Sequence, residues 1–177
     1  MDGKIQECID FPDLRVRPFY FVERRCTAAW VLEESRLAWH DLTWVIGGRA
    51  TYWVDGRPLT AEAGDFLYIP AGRLRRAVTD PAQPMHCLAF NFDCFSWEGD
   101  AFVLPFPNQF RIADGEALRP LYDRFQQVWL ERGPAWRIEA QSAFLAILHR
   151  LVRSFGQPAQ GRDVERRLER IRATILA

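Results

Sequence analysis

"GDFLYIPAGRLRR", Gly64 to Arg76, places two corners and two strands in a short span and decides how the flanking sequence is read. The run Phe66–Ile69 is too short for a helix and is bounded by Ala63-Gly64 on one side and Pro70 and Gly72 on the other, which marks a buried strand. Arg75–Val78 begins the next one. Working outward, strands are expected at Phe19–Arg24, Thr27–Leu32, Asp41–Ile46, Ala50–Val54, Pro58–Ala61 and His86–Phe92. Asp55-Gly56 is a two-residue hairpin signal, because both central positions of a type I′ turn need positive φ. Gly47-Gly48 and Pro81–Pro84 supply further corners. Short strands at regular spacing with no helix between them predict an all-β barrel or double-sheet jelly roll over residues 19–113.

After Phe95 the connector SWEGDAFVLPFPNQFRIADGE is too apolar for a free linker and is expected to wrap against the barrel. The period then changes. Leu118, Leu121, Tyr122, Phe125, Val128 and Trp129 share one helical face, with Asp114 or Glu116 near the start, Pro120 in the first turn and Gly133-Pro134 as the stop. A second helix, about Trp136 to Phe155, carries two apolar stripes. One is Ala140, Phe144, Ile147 and Leu151; the other is Ile138, Leu145, Leu148 and Val152. Two stripes need two partners. Either the barrel and the first helix cover both, or a second chain covers one. The first stripe, with Ala143, is taken as the candidate homodimer interface. Val164, Leu168, Ile171 and Ile175 then stand at helical spacing in a terminal helix that stops in mid-pattern at Ala177. The expected divisions are therefore an N-terminal arm (1–18), the barrel (19–113), a helical dimerisation segment (114–156), and a linker with the start of a further helix (157–177).

Composition narrows the function classes. The 177 residues are 49% hydrophobic and 14% aromatic, enough for a packed core, and Lys+Arg and Asp+Glu balance at 23 each. No global charge points to direct binding of nucleic acid or a membrane. The start has no apolar h-region, and the longest aliphatic-aromatic run, Ala143–Leu148, is far too short to span a bilayer. Cys8, Cys26, Cys87 and Cys94 form no C-x-x-C pair or zinc spacing and are read as reduced thiols in a cytoplasmic protein.

The spacing of Gly64, Pro70 and Gly72 is similar to the second half-motif of the metal-binding cupins, in which a His follows at the position of Arg75. Pairing it with the first half-motif through Gly48 puts Glu34, Arg36 and Asp41 at the other three ligand positions. A guanidinium has no lone pair to give a metal and stays charged. Two arginines beside two acids therefore predict a salt-bridged cluster with no metal and no other cofactor. His40, next to Asp41, should point to the opposite face by strand alternation. The cluster has two readings. Arg36–Asp41 and Arg75–Glu34 pairs stabilise the barrel, or one arginine is left to grip an oxygen-rich or anionic ligand by bidentate hydrogen bonds. Trp39, Trp44, Tyr52 and Trp53 are read as barrel wall.

The order and spacing of these segments over about Phe19 to Ala177 resembles the N-terminal cupin-like domain of AraC-type transcription regulators. Leu42–Gly48, Gly64–Gly72 and Asn91-Phe92-Asp93 correspond to its successive motifs, and the helical pair to its dimerising helices. The resemblance implies a non-catalytic, metal-free domain that binds a small-molecule effector inside the barrel and forms a homodimer. DNA would be contacted only through a C-terminal domain outside this chain. By position, Arg75, Ala77, Cys87, Ala89 and Asn91 would line the cavity along with Glu34, Arg36 and Asp41. The small residues at 77, 87 and 89 argue against a pentose ligand. The alternatives are a stand-alone small cupin enzyme, an isomerase or oxygenase, and a cupin that binds a protein partner.

Overall fold

The computed structural model describes residues 13–156. Most of the expected arm and the whole expected terminal helix lie outside the described residues. The strands are β1 (Leu14–Arg25), β2 (Val31–Arg36), β3 (His40–Gly47), β4 (Arg49–Val54), β5 (Arg57–Glu62), β6 (Phe66–Ile69), β7 (Leu74–Thr79), β8 (His86–Ser96) and β9 (Gln109–Phe110). A 3₁₀ turn (Gly115–Leu118) leads into α1 (Arg119–Glu131), and α2 (Trp136–Gly156) follows. The strands form two antiparallel sheets, β1-β8-β3-β6-β9 and β2-β7-β4-β5. The chain is thus mainly β, a double-sheet barrel followed by two helices, as the spacing of turns and the change of period predict. Among the described residues no helix is long and apolar enough to cross a membrane.

β1 begins five residues earlier than expected, so residues 14–18 belong to the sheet rather than to an arm. A bulge between Pro18 and Tyr20 inserts Phe19, and the shift keeps both Val16 and Phe21 on the face away from the barrel interior. The Asp55-Gly56 hairpin has positive φ at both residues (48° and 77°), as the turn type demands. Gly48 has φ 68°, and a Cβ there would lie 2.1 Å from the Pro84 carbonyl oxygen, so no side chain fits.

The five-stranded sheet is covered on both faces. Its barrel face looks toward the four-stranded sheet across Val45, Leu67, Ile69, Cys87, Ala50, Tyr52 and Ala77. Its other face carries Leu42, Trp44, Phe66, Tyr68, Leu88, Phe90 and Phe92 and packs under the connector and both helices. Phe90 sits at the centre of this layer, 4.7 Å from the rings of Phe125 and Phe144 and 5.3 Å from Tyr122. A fully buried phenylalanine contributes roughly 1.5–3 kcal/mol.

Pro120 stands in the first turn of α1, where its missing N–H costs nothing. The helix ends at Arg132, whose left-handed conformation lets its N–H reach the Val128 carbonyl at 3.1 Å. On α2 the stripe Ala140, Phe144, Ile147 and Leu151 is buried in the chain's own core, with Ala143 packed at its margin. The sequence pattern could not say which stripe faces inward. The structure answers it: the stripe expected to form a dimer interface is covered by β1, β8 and α1 of the same chain, and Ile138 and Leu145 of the other stripe are exposed.

Candidate functional site

Alternation along β3 puts Asp41, Thr43 and Val45 into the barrel and His40, Leu42 and Trp44 under the helices. His40 is buried on that far side, as expected. The Leu104 N–H donates to the Tyr68 hydroxyl (3.0 Å), and that hydroxyl shares a hydrogen bond of 2.8 Å with His40 Nδ1. Burial pulls the His40 pKa down and favours the neutral ring, and the chain of bonds ties the connector to the sheet.

Inside the barrel, Asp41 on β3 meets Arg75 on β7. Arg75 Nη2 lies 3.6 Å from Asp41 Oδ2, and the two side chains keep only 10% and 13% of their exposure. The pair bridges the two sheets. Asp41 Oδ1 also accepts the Thr43 hydroxyl at 2.9 Å, and Asn91 stands opposite Asp41 on β8, its Nδ2 donating to the Phe90 carbonyl at 3.3 Å. Burial raises the Asp41 pKa; Arg75, Thr43 and Asn91 oppose the rise. Deeper along the barrel, burial also raises the Tyr52 phenol well above its ordinary value and pushes the Cys87 thiol up to about 12. Cys26, Cys87 and Cys94 are free thiols.

The expected pairing is corrected by the structure. Glu34 and Arg36 are exposed and join neither Arg75 nor Asp41; Arg36 instead donates to the Gly72 carbonyl at 2.5 Å. The cause is an irregularity in β2: Leu32 is paired with Ala77 but Ser35 with Arg75, so an extra residue between them rephases the strand. A bulge of this kind leaves no composition signal. The expected cavity residues on β7 and β8 do share one face: Arg75, Ala77 and Cys87 are buried, and Ala89 and Asn91 are half-buried. Three residues of the site were passed over in the sequence. Thr43 was legible by alternation from Asp41, Tyr52 was assigned to the wall, and Trp39 precedes Asp41 by two positions.

Two donors here are orphaned. Arg75 Nε and Trp39 Nε1 are buried with no hydrogen-bond partner, and a buried donor left unmatched costs about 1–3 kcal/mol. Trp39 packs against Phe19, and Phe19 and Tyr20 are exposed beside it on β1. A divalent metal does not fit this donor set. One carboxylate faces a guanidinium that cannot coordinate, and among the described residues no three His, Cys, Asp or Glu side chains gather as ligands.

Residues 37–91 match the model of the cupin domain family. No curated protein sequence matches the chain. Among solved structures it is similar to KdgF from Halomonas sp., with 15% identity, a TM-score of 0.35, and coverage of 45% of this chain and 76% of that one. A predicted oxalate decarboxylase from Thermotoga maritima gives 11% identity, a TM-score of 0.36, and coverage of 45% and 68%. A putative mannose-6-phosphate isomerase from Ralstonia eutropha gives 18% identity, a TM-score of 0.34, and coverage of 57% and 100%. The expectation of a non-catalytic chain is corrected by these neighbours, which include enzymes by name. Matched family model, two-sheet barrel and corner glycines agree: this chain carries a cupin domain over residues 37–91.

Proposed function

We propose that the barrel binds a small molecule bearing a carboxylate or a comparable pair of acceptor oxygens, gripped by Arg75 and oriented by Asp41, Thr43 and Asn91. The observation that carries this reading is the orphaned Arg75 Nε, a buried charged donor that an acceptor-rich ligand would satisfy. Ala77, Cys87 and Ala89 on the same face are small, and the buried Trp39 Nε1 is a second donor without a partner. In a calorimetric titration with a panel of small mono- and dicarboxylates, Arg75→Ala should weaken binding about 10- to 100-fold, the value of a charge-assisted bond. Equal affinity in the variant would remove Arg75 from the site. A large loss of thermal stability with no binding by the parent protein would leave the pair a structural strut.

The bound molecule has two uses under this proposal. A buried carboxylic group whose pKa is raised, beside a guanidinium that can hold the substrate, is suited to proton transfer. That favours a cupin enzyme of the isomerase kind with Asp41 as the acid–base group. Ligand-dependent deuterium uptake followed by NMR in D₂O, abolished in Asp41→Asn, would support it. The other use is effector sensing in an AraC-type regulator, supported by the order of the sequence motifs. The sheet that presents Asp41 and Asn91 to the ligand also carries the helices on its back, so a ligand that prefers one sheet geometry would bias helix packing. A homodimer in that reading uses the exposed Ile138 and Leu145. Ligand-dependent sedimentation, altered by Ile138→Ser with Leu145→Ser, would support it.

A further inference from the structure

Outside the barrel, the first half of β1 and the α1–α2 turn enclose a groove of about 480 Å³ lined by Arg17, Phe19, Trp129, Arg132, Trp136 and Arg137, among others. Trp136 organises it. Its indole lies edge-on to Trp129 at 5.2 Å and carries two guanidiniums, Arg132 at 5.2 Å and Arg137 at 4.8 Å from the ring centroid. Two like charges beside one ring repel each other unless an anion lies between them. The nearby acids are engaged elsewhere. Asp93 holds Arg17 at 2.5 Å, Glu139 is paired with Arg124, and Glu131 accepts from Gln127. Among the described residues neither Arg132 nor Arg137 has a carboxylate within ion-pair distance.

The backbone adds an independent observation. Arg132 has φ 48° and Ala135 has φ 58°, both in the left-handed region, where glycine is the unstrained choice for a helix terminus. The turn already contains a glycine, Gly133, one position later. The arginine at this strained position places its guanidinium over Trp136 while its Nε donates to the Trp129 carbonyl at 3.3 Å, which leaves both terminal nitrogens for a ligand.

We infer that this groove is a second binding site, separate from the barrel, for a small molecule with at least two anionic oxyanion groups, carboxylate or phosphate. Arg132 and Arg137 bind the anionic groups, Trp136 holds both guanidiniums in place by cation–π contact, and Trp129 closes the apolar side. The test uses citrate and inorganic pyrophosphate as probes in calorimetric titrations of the full chain. Saturable one-to-one binding is expected for at least one probe, weakened at least tenfold in Arg132→Gln with Arg137→Gln. It should be unchanged in Arg25→Gln, which removes a neighbouring surface charge. Preference for citrate or pyrophosphate identifies the group recognised. Arg132→Gly should raise the melting temperature while weakening the probe. Absence of saturable binding by both probes, equal affinity in the double variant, or an equal loss in Arg25→Gln overturns the site.

Discussion

The two faces of the five-stranded sheet are built from neighbouring residues of the same strands, yet they have opposite characters. Under the helices stand Trp44, Tyr68, Phe90 and Phe92, all essentially without exposure. On the barrel side the alternate positions are Asp41, Thr43, Cys87, Ala89 and Asn91, small or polar, and two of them remain half-open. One face is filled by its own aromatic rings. The other holds a cross-barrel ion pair with spare donors. The difference teaches that strand alternation alone can give one sheet a packed aromatic face and a polar, ion-paired one, with no need for separate segments.

The sharpest way to break this division is to exchange burdens between the faces. Phe90→Ala should cost about 3–5 kcal/mol in denaturant unfolding, because four aromatic neighbours cannot collapse into the space. Ala89→Leu, one residue away on the half-buried barrel face, should cost about 1 kcal/mol or less while weakening the carboxylate binding proposed for the barrel. Similar costs for both would mean the faces are not divided in this way.

The ion pair gives an intermediate effect. Asp41→Ala leaves a nearly buried guanidinium unpaired and should destabilise by about 2–3 kcal/mol, while Asp41→Leu with Arg75→Met should recover most of that loss. Additive losses in the double variant would show that the two groups do not interact in solution.

The smallest effect is in the acid limb of stability. Glu23, bonded by Gln126 at 3.0 Å and His86 at 2.8 Å, has its pKa lowered, so the folded state releases that proton more readily than the unfolded chain. Its contribution is present above the ordinary value of 4.5 and fades as pH falls through the lowered one. Asp41 has the opposite sign: the folded state holds its proton more tightly, so stability falls as pH climbs from 3.8 through its raised value. Melting temperatures between pH 3 and 6 should lose the acid-side decline in Glu23→Gln and the rising-pH decline in Asp41→Asn. An unchanged profile in either variant would remove that group from the account.

Much of the division was legible before the structure. Gly64, Pro70, Gly72 and Asp55-Gly56 marked the corners, and the β6 boundaries agree residue for residue. Asp41 and Arg75 were placed by motif spacing, and Ala77, Cys87, Ala89 and Asn91 by position in the resemblance to the AraC-type domain. The failures share a physical cause, because each depended on a shift or a partner that no local pattern encodes. The β2 irregularity turned Glu34 and Arg36 outward, and the Phe19 bulge brought residues 14–18 into the sheet. β9 is two residues long and is defined only by the strand it meets. On α2 both stripes read alike, and the choice between them belonged to the aromatic surface of β8.

β1 has a consequence for how this protein is made. Its first residue, Leu14, is opposite Ser96, and its last, Arg25, is opposite His86. During synthesis β1 precedes its partner and must wait until the whole of β8 has followed before it is paired. The β4–β5 hairpin has no such wait, whereas pairing β1 with β8 closes the longest loop of any strand pair in the two sheets, the kind of contact that topology slows most. Until then the apolar residues of β1 that end in the core, Val16 and Phe21, have no packed layer to enter.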